Sequence, residues 1–345
     1  MAIRDVQVTI TRETRGVTQR GFGLPLILST EKAHPYTRYR QLNDISEDFE
    51  TTTNTYKMAQ AIFRQSPRPE EVVILGVDSI TPGDLTQALD DAIGDGNDDW
   101  YFLLCENHTP AIQDELGGWI TNGLYFTSTD DVDYPATKEN DRVIVVVHEE
   151  PEQYPEAGWV GKCAPRLPGS ITWKFKILNG ITSSGLSATE QSTVDAGNGN
   201  YIARQGGILH TFEGKSTSGE FIDVMRTMDF IEARIKENVF VRLVNAGKIP
   251  FTNAGISTVV EGVEEALRTA YNNGAIADGN PAELTGTQPD PGDEDITAPL
   301  YEITAPRRED VPLNDRANRI LPDVNFVAIL AGAVHEVRVV GVLQV

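Results

Sequence analysis

The sequence predicts an α/β protein, α+β over the whole chain, with a mixed β-sheet core flanked by helices and an extended strand arm at each terminus. Three observations predict it. Between residues 70 and 148 short apolar runs alternate with segments of helical spacing, as in a largely parallel sheet covered by helices. From Val224 onward two long amphipathic segments follow one another. At both ends apolar and polar residues alternate, as in strands with one buried face.

The N-terminal strand places Val6, Val8 and Ile10 on one face, with Gln7, Thr9 and Thr11 opposite, and a patternless polar stretch follows. Residues 23–29 form an apolar run that reads as a strand. Residues 48–63 read as a polar turn and a helix carrying Tyr56, Ala59, Ile62 and Phe63 on one side, closed by Pro67 and Pro69. Residues 72–77 and 101–105 are apolar enough to be buried strands of a sheet, and residues 124–127 and 143–148 read as further strands, the latter a strong one. Residues 85–93 and 112–120 are the helices between them. Residues 171–178 alternate, and residues 201–203 suggest a short strand.

The long helix is read from Val224, Met228, Ile231, Ile235, Val239 and Leu243, and ends at Asn245-Ala246-Gly247 before Pro250. The second helix is read from a capping box at Thr258 and Glu261, with a stripe of Val259, Val260, Val263, Leu267 and Tyr271 and a stop at Asn273-Gly274. An acidic Pro/Gly stretch covers residues 279–294. The terminal strand places Val337, Val339, Leu343 and Val345 on one face, with Arg338 and Gln344 opposite.

Charge is unevenly spread. The 345 residues carry a net −22, divided as +1 over residues 1–60, −17 over 61–160 and −6 over 161–345. Such a chain repels phosphate backbones, which argues against nucleic acid as a partner. The acidic block is expected to be a solvated face. No apolar run approaches the ~20 residues a membrane span needs, and residues 1–10 lack the apolar core of a secretory signal. Two cysteines, Cys105 and Cys163, are too few for a disulfide framework, which suits a reducing cytoplasm.

A search for chemistry finds no catalytic set. His34, His108, His148, His210 and His335 are scattered without metal-ligand spacing. Gly214-Lys215-Ser216-Thr217 imitates the end of a phosphate loop, but Leu209 stands where the first glycine belongs. Gly21-Phe22-Gly23 lacks the third glycine of a dinucleotide fingerprint and reads as a strand entry. Asp130, Asp131 and Asp133, or Asp290, Asp293, Glu294 and Asp295, do not follow a calcium-loop pattern. One enzymatic alternative remains: a doubly wound fold would bring Glu106, His108 and His148 to the carboxyl ends of its strands, where acid–base groups could converge.

The residues with a wider resemblance are Phe22-Gly23-Leu24-Pro25-Leu26-Ile27, Phe63-Arg64-Gln65-Ser66-Pro67-Arg68-Pro69, Met228-Asp229-Phe230-Ile231, the run from Gly247 through Pro250 and Phe251 to Ile256, Gly274-Ala275-Ile276, Asp315-Arg316-Ala317-Asn318-Arg319 and the apolar stretch 326–335. This succession resembles the tail sheath protein of contractile bacteriophages. The resemblance implies a structural subunit without catalysis or cofactor. It implies stacked hexameric rings around an inner tube, contracting to drive the tube through the host envelope. Its implied partners are further copies, the tube protein, and baseplate and terminator proteins, in a tail particle assembled in the bacterial cytoplasm.

The implied organisation is an N-terminal linking arm at 1–20 and an α/β region at 21–205 whose acidic part, 61–160, faces outward. A sheath-type core with the long helices follows at 206–325, then a linking strand at 326–345. Core residues would come from both ends of the chain. Val6, Val8, Ile10, Val337, Val339, Leu343 and Val345 would add strands to neighbouring subunits, with hinges at 11–20 and 318–323. The cations Arg226, Arg234, Lys236, Arg242 and Lys248 on and after the long helix would face an acidic tube.

Overall fold

The computed structural model describes residues 21–81, 83–287 and 296–338. The first strand, β1 (Pro25–Ser29), is wholly buried, as its apolar run requires. A short strand β2 (His34–Tyr39) and a helix α1 (Leu42–Asp48), neither expected from the sequence, lead into α2 (Asn54–Phe63). Alternation follows as predicted: β3 (Val72–Gly76), α3 (Asp84–Gly94), β4 (Phe102–Cys105), α4 (Pro110–Trp119), β5 (Leu124–Thr129) and β6 (Val143–Val147).

These strands form one six-stranded sheet in the order β2-β3-β1-β4-β5-β6. It is parallel except for β2, which runs antiparallel to β3 at one edge. Side chains alternate between two cores. Leu26, Leu28, Val73, Leu103 and Val145 meet Leu85 and Leu89 of α3 and Ile112 and Leu116 of α4 on one face. Ile27, Ile74, Leu104, Phe126 and Ile144 meet α2 and later helices on the other. Period-two alternation with both faces apolar is what continuous apolar strands imply.

The second face is completed by α5 (Pro155–Cys163), almost entirely buried. It crosses α2 so closely that a Cβ on Gly161 would stand 2.8 Å from the Ile62 backbone. A further helix α6 (Ala188–Ala196), capped reciprocally by Ser187 and Glu190, precedes the hairpin of β7 (Tyr201–Gln205) and β8 (Ile208–Phe212). The expected division at residue 205 therefore falls at the turn of one hairpin. Residues 171–178, which alternate like a strand, run beside β8 with Phe175 N donating to Thr211 O and Thr211 N to Lys176 O. Phe175 has φ 64, which breaks the regular strand geometry.

Next come α7 (Ile222–Asn245) and α8 (Asn253–Asn272), packed against each other. The first turn of α8 differs from expectation: Thr252 Oγ1 accepts from Gly255 N at 3.2 Å, six residues before the predicted cap at Thr258. Thr258 lies inside the helix and donates to Ala254 O. Beyond α8 stand β9 (Asp278–Gly279), β10 (Ala298–Pro299), β11 (Tyr301–Thr304), α9 (Leu313–Ala317) and β12 (Asn325–Ala328). Among these strands β9 pairs with β10, and β11 pairs with β12.

Residues 61–160 supply β3 to β6 and so belong to the main core, where the resemblance implied a core drawn from the two ends of the chain. Their carboxylates stand on helices and loops; Asp84, Asp90, Asp91, Asp95 and Asp98 are exposed. Among the described residues no helix is long and apolar enough to cross a membrane.

Candidate assembly surfaces

The carboxyl ends of the parallel strands are where a doubly wound enzyme would hold its ligand, at the point where strand order reverses. Here that point lies between β1 and β4, and the chain's own groups bridge it. Glu106 Oε1 accepts from Thr30 N at 2.6 Å and Thr30 Oγ1 at 2.7 Å. Burial pushes the Glu106 carboxyl above the usual carboxylate range against those two bonds. His108 Nε2 lies 3.0 Å from Glu156 Oε1, a carboxylate with no exposed surface. His148 Nδ1 accepts from Glu150 N at 3.0 Å, leaving Nε2 to face Thr182 O at 3.3 Å.

The three candidate acid–base groups are thus each engaged with a different partner. The phosphate-loop imitation is likewise occupied, because Asn200 Oδ1 accepts from both Gly214 N and Lys215 N at 2.9 Å. Among the described residues no group of His, Cys, Asp and Glu is arranged to hold a metal ion.

The C-terminal third presents a different kind of site. A hairpin of β11 and β12 is registered by Tyr301 opposite Ala328 and Thr304 opposite Asn325. Residues 275–277 are tied to residues 329–331, with Ala277 N donating to Ile329 O and Ala331 N to Ala275 O. Among the described residues no strand pairs with the outer edge of β12. That edge is exposed, with Phe326 42% and Val327 56% accessible. An open apolar edge is a template for another strand.

The comparisons follow this division. Residues 222–342, which begin with α7, match the family model described as "E217 tail sheath protein gp31-like, C-terminal domain". The whole chain is similar to a chain in the cryo-EM structure of the anti-feeding prophage (AFP) baseplate, 6-fold symmetrised, with TM-score 0.70 and 15% identity over 100% of this chain and 99% of that one. It is similar to the AFP helical sheath in contracted state, with TM-score 0.70, 14% identity and the same coverage. It is also similar to the PVC sheath complex of an extracellular contractile injection system in contracted state, with TM-score 0.67 and 11% identity over 100% and 98%.

The resemblance to the contractile tail sheath family is borne out. No curated protein matches the sequence significantly.

The cations expected to face a tube separate sharply. Arg226 is a correction: it is 2% exposed and points inward. Its guanidinium donates to Phe22 O at 2.5 Å, Ala164 O at 2.9 Å and Cys163 O at 3.3 Å, and lies over the Phe102 ring. Burial lowers its pKa to about 10. Arg234 is also turned to its own chain, paired with Glu237 and stacked on Phe230. Arg242 spans the two helices, bonding Glu261 O and Glu265 Oε2 of α8. Lys236, paired at 2.5 Å with Glu232, and Lys248 remain exposed.

The sequence missed these inward roles because an arginine on a buried face looks like any polar interruption of an apolar stripe. For the same reason Met228 and Leu243, assigned to the buried stripe, are 55% and 51% exposed. The buried residues at the start of α7 are Ile222, Met225, Arg226, Thr227, Phe230 and Ile231, facing the sheet.

The arms divide likewise. Val6, Val8, Ile10, Val339, Leu343 and Val345 lie outside the described residues. Val337 is described and 75% exposed, with no strand assigned to it. The first residues of the expected linking strand, 326–328, are a correction: they pair with β11 of their own chain. In the expected hinge 318–323, Arg319 and Asp323 have φ 61 and 58, and no regular element spans it after the end of α9.

Proposed function

We propose that the chain is the sheath subunit of a contractile tail or injection particle, polymerising as stacked rings around an inner tube and contracting to drive that tube through an envelope. The observation that carries the reading is the coextension of the fold. The likeness to sheath-complex chains covers 100% of this chain and 99% and 98% of those chains. The open edge of β12 supports strand exchange as the link: a terminal strand of a neighbouring copy adds to the β11–β12 hairpin through main-chain hydrogen bonds. Baseplate, tube and terminator proteins are the further partners, and the assembled tail is the place of action. Lys236 and Lys248 are the cations left to meet the tube, and the acidic helices of residues 61–160 face outward.

Electron microscopy of the purified chain tests this: tubes or stacked rings are expected, and uniform monomers at high concentration overturn it. Removing residues 1–20 should leave a folded body that builds no long tubes. Val339→Asp should leave thermal melting of the monomer nearly unchanged and abolish polymerisation, because a carboxylate buried in an acceptor sheet costs several kcal/mol. Full-length sheaths from Val339→Asp would exclude that strand as the link.

A further inference from the structure

A groove of about 460 Å³ opens beside the C-terminal end of α2, with Arg40, Phe63, Arg64 and Arg68 in its walls. Three arginines converge there in a chain of net charge −22. Arg68 stacks on the Phe63 ring at 4.8 Å and donates to Arg40 O. Arg40 reaches Glu71, a carboxylate it shares with Arg38. Arg64 is exposed, and among the described residues it has no carboxylate partner. The aromatic and backbone contacts hold the guanidinium of Arg68 at the groove.

The opposite face of the sheet carries the complementary fault. The last turn of α3 bears Asp90 and Asp91, its C-cap is Asp95, and Asp98 follows three residues on; all four are exposed. No basic residue stands in that turn. Carboxylates at the negative end of a helix are destabilising. Their described donors are neutral, Trp119 Nε1 on Asp90 and Gln87 Nε2 on Asp91. A local rule broken without relief inside the chain marks a surface that is relieved by something else.

We propose that the arginine groove at the end of α2 receives the acidic C-terminal end of α3 from a second copy of this chain. The two patches are different and lie on opposite faces of the sheet, so the contact is head to tail. It propagates into a ring or filament and does not close as a two-fold dimer. Such charge contacts set register and encounter more than raw affinity, and they weaken as salt shortens the screening length to below ~10 Å. The contact needs neither terminal arm, and so stands apart from the strand-exchange reading.

The native cysteines are both buried, so surface cysteines can be placed in the full chain without interference. Chains bearing Arg64→Cys mixed with chains bearing Asp91→Cys should form disulfide-linked dimers at low salt. A chain bearing both should form a ladder of higher species. Yield should fall about fivefold or more in 0.5 M salt and be lost when Arg40→Glu and Arg68→Glu are added to the Arg64→Cys chain. Asp90→Arg with Asp95→Arg on the Asp91→Cys chain should restore it. Cross-linking no better than with a control Ser257→Cys on α8, equal dimerisation of Arg64→Cys with itself, or indifference to salt and charge reversal would each overturn the proposal. Tubes without this cross-link would leave the sheath reading intact, and a ladder without tubes would leave the contact intact and remove the sheath.

Discussion

Arg226→Met separates two accounts of the same residue. The guanidinium satisfies three buried carbonyls, those of Phe22, Cys163 and Ala164, which join the entry of β1 and the end of α5 to α7. A hydrogen bond from a charged donor is worth about 1.5–3 kcal/mol, so the gross interaction is roughly 5–9 kcal/mol. Desolvating the cation offsets part of that, as its lowered pKa indicates. A net loss of about 3–5 kcal/mol is expected, since three buried carbonyls lose their donor at about 1–3 kcal/mol each, less the desolvation cost that the cation no longer bears. At roughly 1.4 °C per kcal/mol for 345 residues, from an unfolding entropy of about 2.1 cal/mol/K per residue, thermal melting of the unassembled protein followed by circular dichroism should drop by about 4–7 °C. Arg226→Lys should recover only part of it, because one ammonium cannot reproduce the planar fork. A Met variant that melts within about 2 °C of the parent but no longer assembles on a tube would refute the inward placement and restore the surface role that the sequence suggests.

Gly161→Ala should cost about 1–3 kcal/mol by forcing α5 off the Ile62 backbone, read as a lower urea midpoint. Glu106 has a folded-state pKa above its unfolded value, so the native chain binds the extra proton and this group's contribution to stability falls as pH rises from the unfolded value of about 4.5. Glu106→Gln, which keeps an acceptor for Thr30, should remove that slope; the urea midpoint of the variant relative to the parent should therefore climb between pH 4 and pH 8, and a constant difference would contradict it. Reversing Lys236 and Lys248 to Glu should weaken sheath–tube co-assembly at low salt without moving the melting point, whereas the same reversal at Arg242 should also destabilise the α7–α8 contact through Glu265.

The strands of the sheet were legible because burial on both faces leaves a continuous apolar run, and helices α3, α4 and α7 because their spacing is periodic. What escaped was local structure whose logic is tertiary. The sequence pattern assigns no element to helix α5, where Gly158 and Gly161 are poor helix formers. Yet the glycines are there because the helix crosses Ile62 and Ile181 at contact distance. The start of α8 was misplaced because Thr258 and Glu261 fit the capping pattern, while Thr252 supplies the actual cap without a glutamate three residues on. Strand β2, His34–Tyr39, is half-exposed at a sheet edge and carries Pro35, so neither apolar continuity nor clean alternation marks it.

The candidate site shows the same asymmetry in a more telling form. Sequence reasoning could place Glu106, His108 and His148 at strand ends, but not what lies opposite them. In the folded chain Thr30 at the end of β1 donates twice to Glu106 at the end of β4, joining the two strands at the point where a doubly wound enzyme stays open. A buried carboxylate is costly, and its hydrogen bonds are what make it tolerable. That tie makes the sheet a closed body whose crevice is bridged by its own side chains. The exposed apolar edge lies elsewhere, on the β11–β12 hairpin at the far end of the chain. Fold alone does not assign function. Under the proposed sheath role, the bridged crevice would let the body rotate with little deformation, and main-chain pairing at the edge that is open among the described residues would persist while it does.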